Sequence, residues 1–189
     1  MEKLNILAIC GSLRTDSWNK KLLHAAIKLQ PEGLTIKEFQ GLAEIPPYNQ
    51  DNDGPASPQP VLQLREEIAK SDGILFVSPE YNFGIPGVLK NAIDWASRPG
   101  GKSVLYGKPT AIMGASMGLV GTARMQLSLR QTLTFNNCPC VLQPEVLVGR
   151  AQEKFDDEGN FTDEMAGKLI AQLLENFRVL ILRMRDDNP

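Results

Sequence analysis

The sequence predicts an α/β fold in which helices cover both faces of a parallel β-sheet. Three observations support it: five short apolar segments alternate with five segments of helical periodicity, the third apolar segment is hydrophobic throughout, and the C-terminal segment is a long amphipathic helix. Strands that alternate with helices form a doubly wound sheet through right-handed crossovers, and strands covered on both faces are apolar throughout. The chain of 189 residues has the length of one domain, which we expect to span residues 1–189.

The predicted strands are short apolar runs bounded by glycine, proline or polar residues. The first stops at Gly11, and the second alternates apolar and polar residues, as a half-exposed strand does. Pro144 interrupts the fifth strand and therefore predicts an edge position or a bulge. The five predicted strands are residues 4–10, 34–39, 74–77, 110–113 and 141–148.

The segments between the strands carry apolar residues at helical spacing. Pro86 stands near the start of the third helix, where a missing N–H costs little, and Thr162 is the predicted N-cap of the last one. Residues 41–60 are rich in proline and polar residues, so we predict a long irregular loop there. The predicted helices are residues 16–29, 61–70, 86–97, 118–133 and 163–184.

Composition and charge exclude several classes of protein. A net charge of −2 with a pI near 5.5 shows no basic excess, so we expect no nucleic-acid partner. No apolar run approaches the roughly 18 residues that cross a bilayer, and the N-terminus enters the first strand without a signal-like segment. Three cysteines do not suggest a disulfide framework. We therefore expect a cytoplasmic protein that does not bind a membrane.

A metal site is not predicted. Cys138 and Cys140 are separated by one residue, and His24 is the only histidine of the chain. Two cysteines and one distant histidine do not form the ligand set of a zinc site.

The loop after the first strand offers groups that bind phosphate. It lacks the glycines of a dinucleotide-binding loop and the lysine of a P-loop, but it places hydroxyls, an amide and an arginine at the start of a helix. Helix N-termini bind anions, and arginine adds a charged fork. Capping of the helix by one of these residues is the alternative. The candidate residues are Ser12, Arg14, Ser17 and Asn19.

The loop after the third strand combines aromatic, proline and glycine residues. Tyr81 and Phe83 are suited to form the wall of a pocket for a flat ring, and glycines let the backbone approach a ligand. An ordinary tight turn with core aromatics is the alternative.

The loop after the fourth strand contains Gly114-Ala115-Ser116-Met117-Gly118, which matches the G-x-S-x-G turn of serine hydrolases. Those enzymes need a histidine after the serine, and none follows Ser116. The order of residues therefore argues against a hydrolase, and a turn without a ligand is the remaining alternative.

Two of these segments, GSLRTDSWN and SPEYNFGIPGVLKNAIDWASRP, resemble the NADPH-dependent FMN reductase family. The resemblance spans essentially the whole chain and is greatest to the branch of quinone, azo-dye and chromate reductases. It implies a flavodoxin-like, three-layer fold with strand order 2-1-3-4-5. It also implies FMN as cofactor and NADPH or NADH as electron donor.

The resemblance also assigns residues. The FMN phosphate would be held by Ser12, Arg14, Ser17 and Asn19. The ring and ribityl chain would be contacted by Pro79, Glu80, Tyr81, Asn82 and Phe83, and the polar edge of the ring by Ser116, Met117 and Gly118. Many relatives carry tyrosine at the position of Phe83. Arg124 and Glu145 would lie near the substrate mouth and the interface of a homodimer or homotetramer, although two solvated charges are the alternative.

The activity implied is transfer of a hydride from NAD(P)H to FMN and then of two electrons to a small acceptor such as a quinone, azo compound or chromate. No catalytic side chain is expected, because the flavin carries the chemistry. The alternative is an FMN-binding electron-transfer or sensor protein without NAD(P)H turnover.

Overall fold

The computed structural model describes residues 3–54 and 56–186. Its centre is a five-stranded parallel sheet with strand order β2-β1-β3-β4-β5. The strands are β1 (Leu4–Cys10), β2 (Leu34–Glu38), β3 (Gly73–Val77), β4 (Thr110–Ala115) and β5 (Val146–Val148). This order confirms the predicted fold class. The prediction of one domain over residues 1–189 extends to positions 1, 2, 55 and 187–189, which lie outside the described residues.

Five helices cover the two faces of the sheet. They are α1 (Trp18–Lys28), α2 (Gln59–Lys70), α3 (Gly87–Ala96), α4 (Ala123–Thr134) and α5 (Glu164–Asp186). Helices α1 and α5 share one apolar core with Leu4, Ile6 and Ala8 of β1, whereas α2, α3 and α4 share the other with Leu7 and Ile9. Successive side chains of a strand point to opposite faces, and β1 therefore supplies both cores.

The centre of the sheet is fully buried. All five residues of β3 are buried, and Trp95 and Phe177 are the largest fully buried side chains on the two faces. Each such side chain contributes about 1.5–3 kcal/mol by leaving water. Helix α5 lies against the sheet at Gly73, where an added Cβ would meet the Phe177 ring at 2.6 Å.

Most predicted boundaries agree with the structure to within two residues, but two differ by more. The fifth strand covers Val146–Val148 rather than residues 141–148, because the chain leaves β4 after the N–H of Val141 bonds to Thr110. Its edge position is confirmed. Helix α4 begins at Ala123 rather than 118, since residues 118–122 form a turn in which Gly121 has a φ of 59°.

The N-cap of α5 is Asp163 rather than Thr162. The Oδ1 atom of Asp163 accepts the N–H of Ala166 at 3.0 Å. This is the bond that an N-cap side chain makes to the first turn.

The loop of residues 41–60 is more ordered than predicted. It contains two short 3₁₀ turns, and Leu42 and Ile45 are buried. Asn91 of α3 holds it, because its Oδ1 accepts the N–H of Tyr48 at 2.8 Å and its Nδ2 donates to the carbonyl of Pro46 at 2.8 Å. Pro55 lies outside the described residues.

No helix among the described residues combines the length and the apolar character needed to span a membrane.

Candidate functional site

The carboxyl ends of β1, β3 and β4 lie side by side in the sheet. The chain leaves β1 toward β2 but leaves β3 toward β4, so a crevice opens between the connections. Open α/β sheets bind ligands at such a switch point. The connections are named here the β1 loop (residues 11–17), the β3 loop (residues 78–86) and the β4 loop (residues 116–122).

The β1 loop presents unused N–H groups at the start of α1. The hydroxyl of Ser17 caps the helix by accepting the N–H of Asn19 at 3.2 Å. Among the described residues, no protein acceptor takes the backbone N–H groups of Thr15, Asp16 and Trp18. Unpaired N–H groups at a helix N-terminus attract anions.

Arg14 is the cation closest in sequence to these donors, and it is exposed. No carboxylate in the described part of the chain forms an ion pair with it. The carboxylate of Asp16 is bonded instead to Lys21 at 2.6 Å, and that hydrogen bond lowers the pKa of Asp16. The buried hydroxyl of Ser12 lies 3.4 Å from the backbone nitrogen of Arg14. The guanidinium is thus available to an incoming anion.

The Asn19 side chain faces the sheet rather than the solvent. It is 3% exposed. Its Nδ2 donates to the carbonyl of Ala115 at 2.9 Å, and its Oδ1 accepts the N–H of Ala115 at 2.9 Å. One N–H of the amide remains, so its contact with phosphate stays a prediction.

The ends of the three strands are packed backbone to backbone. A Cβ added at Gly11 would lie 2.3 Å from Oγ of Ser78, and one added at Gly114 would lie 2.3 Å from the carbonyl oxygen of Ser78. Ser78 is not among the site residues predicted from the sequence. The available signal was a glycine immediately after or within each neighbouring strand.

The β3 loop contains a tight turn that exposes aromatic rings. Tyr81 and Gly84 exchange backbone hydrogen bonds of 3.1 and 3.0 Å. Asn82 and Phe83, between them, have φ values of 50° and 65°, which asparagine tolerates and phenylalanine rarely adopts. Phe83 is 70% exposed. Surrounding structure imposes this conformation, as is common at ligand sites.

Glu80 connects the β3 loop to α4. Its Oε2 accepts the backbone N–H groups of Arg124 and Met125, each at 3.0 Å, and its carboxylate is 9% exposed. A carboxylate at a helix N-terminus caps it and favours the helix dipole. No pattern in the sequence predicts this contact, because the two residues are 44 positions apart.

Arg124 and Glu145 are not brought together. The guanidinium of Arg124 lies 4.1 Å from the centre of the Phe83 ring and 3.4 Å from Oε1 of Glu80. Glu145 is exposed before β5, and within the described residues it forms no ion pair. Arg124 therefore belongs to the rim of the crevice, and the role of Glu145 at an interface stays a prediction.

The β4 loop is fastened to the end of β5. Ser116 donates its backbone N–H to Val148 at 2.9 Å, and Arg150 donates its N–H to Gly118 at 3.0 Å. The Ser116 hydroxyl accepts the N–H of Gly118 at 2.9 Å. Met117, within this anchored turn, is 61% exposed.

Neither Cys10 nor His24 is placed to act on a substrate here. Burial raises the pKa of Cys10 to about 11, so its thiol stays protonated at neutral pH. His24 lies on α1 and lines a groove of about 460 Å³ between α1 and α5, away from the loops. Among the described residues, Ser116 therefore has no histidine partner.

Comparison with known proteins agrees with this geometry. Residues 4–153 match the family of NADPH-dependent FMN reductases. The chain belongs to this family. An NAD(P)H-dependent FMN reductase from Pseudomonas aeruginosa is 45% identical over 184 residues, covering 97% of this chain and 98% of the relative. A quinone reductase from Pseudomonas putida is 41% identical over 160 residues, covering 85% of this chain and 86% of the relative.

A solved structure extends the match to the fold. The flavoenzyme NAD(P)H:(acceptor) oxidoreductase FerB from Paracoccus denitrificans has a TM-score of 0.86 and 35% identity, covering 95% of this chain and 98% of that chain. The predicted family, flavodoxin-like fold class, oxidoreductase class and cofactors are confirmed. This FMN reductase family member uses FMN and NAD(P)H.

The residues at the crevice fit FMN. Unused backbone N–H groups, the hydroxyls of Ser12 and Ser17 and the free guanidinium of Arg14 match a terminal phosphate dianion. The exposed rings of Tyr81 and Phe83 and the anchored backbone of the β4 loop match a flat ring with a polar edge.

Proposed function

We propose that this FMN reductase binds FMN across the β1, β3 and β4 loops and reduces quinones with electrons from NAD(P)H. The observation that carries the proposal is the convergence at one sheet edge of an unpaired arginine, free helix N–H groups and an aromatic turn. Phosphate would bind at Ser12, Arg14, Ser17 and Asn19. The ring would lie against Pro79, Glu80, Tyr81, Asn82 and Phe83, with its polar edge at Ser116, Met117 and Gly118.

Bound FMN supplies the two-electron chemistry between NAD(P)H and the acceptor. The residues of the protein bind the cofactor and orient it. Arg14 and the α1 N–H groups would hold the phosphate. The backbone N–H of Met117, which has no acceptor among the described residues, would bind the polar edge of the ring. Glu80 keeps α4 and the β3 loop together, since its carboxylate is already bonded to Arg124 and Met125. No side-chain acid, base or nucleophile is required.

The acceptor is proposed from two sources. The relatives named quinone reductase support a quinone. Phe83 and Met117 are exposed in the loops that would hold the ring, and a flavin accessible to solvent there would also reach azo compounds and chromate. Arg124, held over the Phe83 ring, lies where it can meet an anionic acceptor or the donor's phosphates.

We further propose a homodimer or homotetramer in the cytoplasm, with Glu145 and Arg124 near the interface. Phe83, Met117 and Leu119 expose 70%, 61% and 74% of their surface around the site, and apolar patches of this kind commonly mark interfaces. The three cysteines are free, as in a reducing compartment. Light scattering at working concentration tests the assembly, and a monomer would contradict it.

The first experiment is a visible absorption spectrum of protein purified without added cofactor, before and after anaerobic addition of NADPH or NADH. We expect a yellow protein that is bleached by the donor and recovers its colour when a quinone is added. Flavin that stays oxidised would instead support an electron-transfer or sensor protein. A colourless protein that also fails to take up FMN would overturn the proposal.

A further inference from the structure

The buried Asn19 amide completes the hydrogen bonding of β4 where β3 has ended. Ser78 donates its backbone N–H to Met113 at 3.1 Å, so the carbonyl of Met113 points toward β3. Alternate residues of a parallel strand bond to the same neighbour. The N–H and C=O of Ala115 therefore point to the same side, beyond the end of β3, and there the Asn19 amide takes both of them at 2.9 Å.

These two bonds connect two parts of the site that are far apart in sequence. Asn19 is the second residue of α1, directly after the donors of the β1 loop. Ala115 is the last residue of β4, directly before the β4 loop. The separation is 96 residues. A buried amide with both groups paired is costly to break, because the backbone partners would be left unsatisfied.

We propose that Asn19 is a positioning residue that sets the β1 loop at a fixed distance from the β4 loop, and with it the phosphate subsite from the ring subsite. The role rests on the proposed FMN site. A ligand with two linked groups gains affinity from both only when the two subsites are held at the matching distance. Loss of the amide therefore weakens FMN more than a flavin without phosphate.

Asn91 provides a matched control. Its amide also bonds through both atoms to a distant backbone, at Tyr48 and Pro46, each at 2.8 Å. It fastens the loop of residues 41–60 rather than the ligand-facing loops. A general loosening of the fold affects Asn91→Ala as well, whereas a change in the spacing of the subsites affects Asn19→Ala alone.

The experiment titrates FMN and riboflavin into the wild type, Asn19→Ala and Asn91→Ala, and records the visible spectrum of FMN at saturation. In Asn19→Ala we expect the ratio of the riboflavin Kd to the FMN Kd to fall about tenfold, with the spectrum of bound FMN shifted toward that of free FMN. Asn91→Ala is expected to keep the wild-type ratio of Kd values and the wild-type spectrum of bound FMN. Asn19→Ser, whose hydroxyl can bond one of the two Ala115 groups, gives an intermediate ratio and serves if Asn19→Ala does not fold.

Each other result overturns the role. An unchanged ratio in Asn19→Ala shows that the amide does not set the spacing. A lower ratio with an unchanged spectrum shows that Asn19 acts only through its remaining N–H on the phosphate and does not position the loops. An equal change in Asn91→Ala shows general loosening. Failure of the wild type to bind FMN contradicts the proposed function itself, and the role falls with it.

Discussion

At the scale of single residues, the main feature of the site is that Arg14 forms no ion pair within the described part of the chain. Lysines and arginines elsewhere near the site are paired: Lys21 with Asp16 and Arg124 with Glu80. Arg14 has no carboxylate partner among the described residues, although it stands next to the free N–H groups of α1. An unpaired, exposed arginine contributes little to folding, so its removal separates ligand binding from stability.

We therefore predict that Arg14→Ala raises the Kd for FMN by about 10- to 100-fold, since a charged hydrogen bond contributes about 1.5–3 kcal/mol. The melting temperature of the apoprotein should stay the same. Flavin fluorescence quenching and thermal unfolding measure the two quantities. Arg183→Ala, which removes an exposed arginine from the far end of α5, is the control. Unchanged FMN affinity in Arg14→Ala would exclude its role at the phosphate.

At the scale of elements, helix termini are fastened by carboxylates from neighbouring segments. Glu80 caps α4 from the β3 loop, and Asp163 caps α5 while its Oδ2 pairs with Lys154 at 2.7 Å. The N–H of Ala166 and the ammonium of Lys154 together lower the pKa of Asp163. The ionised carboxylate is thus the form that the folded protein favours.

The stabilisation by Asp163 should depend on pH. The pKa of Asp163 is lower in the folded than in the unfolded chain. Its stabilisation of the fold is therefore complete above the unfolded pKa of about 4 and is lost as the pH falls through the folded pKa. We predict that Asp163→Ala lowers the melting temperature by about 2–4 °C at pH 7, equivalent to roughly 1 kcal/mol.

The measurement is thermal unfolding of the wild type and Asp163→Ala between pH 7 and pH 3. The difference between them should become smaller as the pH falls below about 4. Asp157→Ala, an exposed aspartate of the preceding loop, controls for the loss of one negative charge. A difference that is constant over the whole range would show that the carboxylate's charge does not matter.

At the scale of the whole molecule, the site lies where the two apolar cores and three strand ends meet. The β1 loop leads into α1 on one face, and the β3 and β4 loops lead into α3 and α4 on the other. A ligand that bridges these loops binds only when both faces are folded, so cofactor binding and global stability are linked.

We predict that FMN at about 100 times its Kd stabilises the fold by about 2.7 kcal/mol, which corresponds to a rise of about 5–11 °C in melting temperature. Removal of FMN by dialysis should reverse the shift. Riboflavin at the same concentration, which lacks the phosphate, should give a smaller rise. Melting temperatures that do not change with FMN would contradict a site formed by both faces.

Short-range patterns and two motifs in the sequence predict the helices, the strands and the family. The spacing of apolar residues located all five strands and five helices, because a buried face requires apolar residues at the period of the strand or helix. The apolar run at residues 74–77 predicted a strand covered on both faces, and Pro144 predicted an edge position or a bulge for the fifth strand, which lies at the edge. The segments around Arg14 and Tyr81 identified the FMN reductases. Local patterns are enough to locate the elements, because the apolar residues that form each buried face lie within a few positions of one another.

The hydrogen-bond partners of the polar groups are seen only in the folded structure. Asn19 bonds to Ala115, and Glu80 bonds to the first turn of α4, across 96 and 44 residues. The start of α4 follows from the turn at Gly121, which lies close to the backbone of Leu147. The shortened β5 follows from the chain leaving β4 after Val141 bonds to Thr110. These pairings depend on the three-dimensional approach of distant segments. No periodicity or spacing encodes them, because they are single contacts made once the sheet has formed.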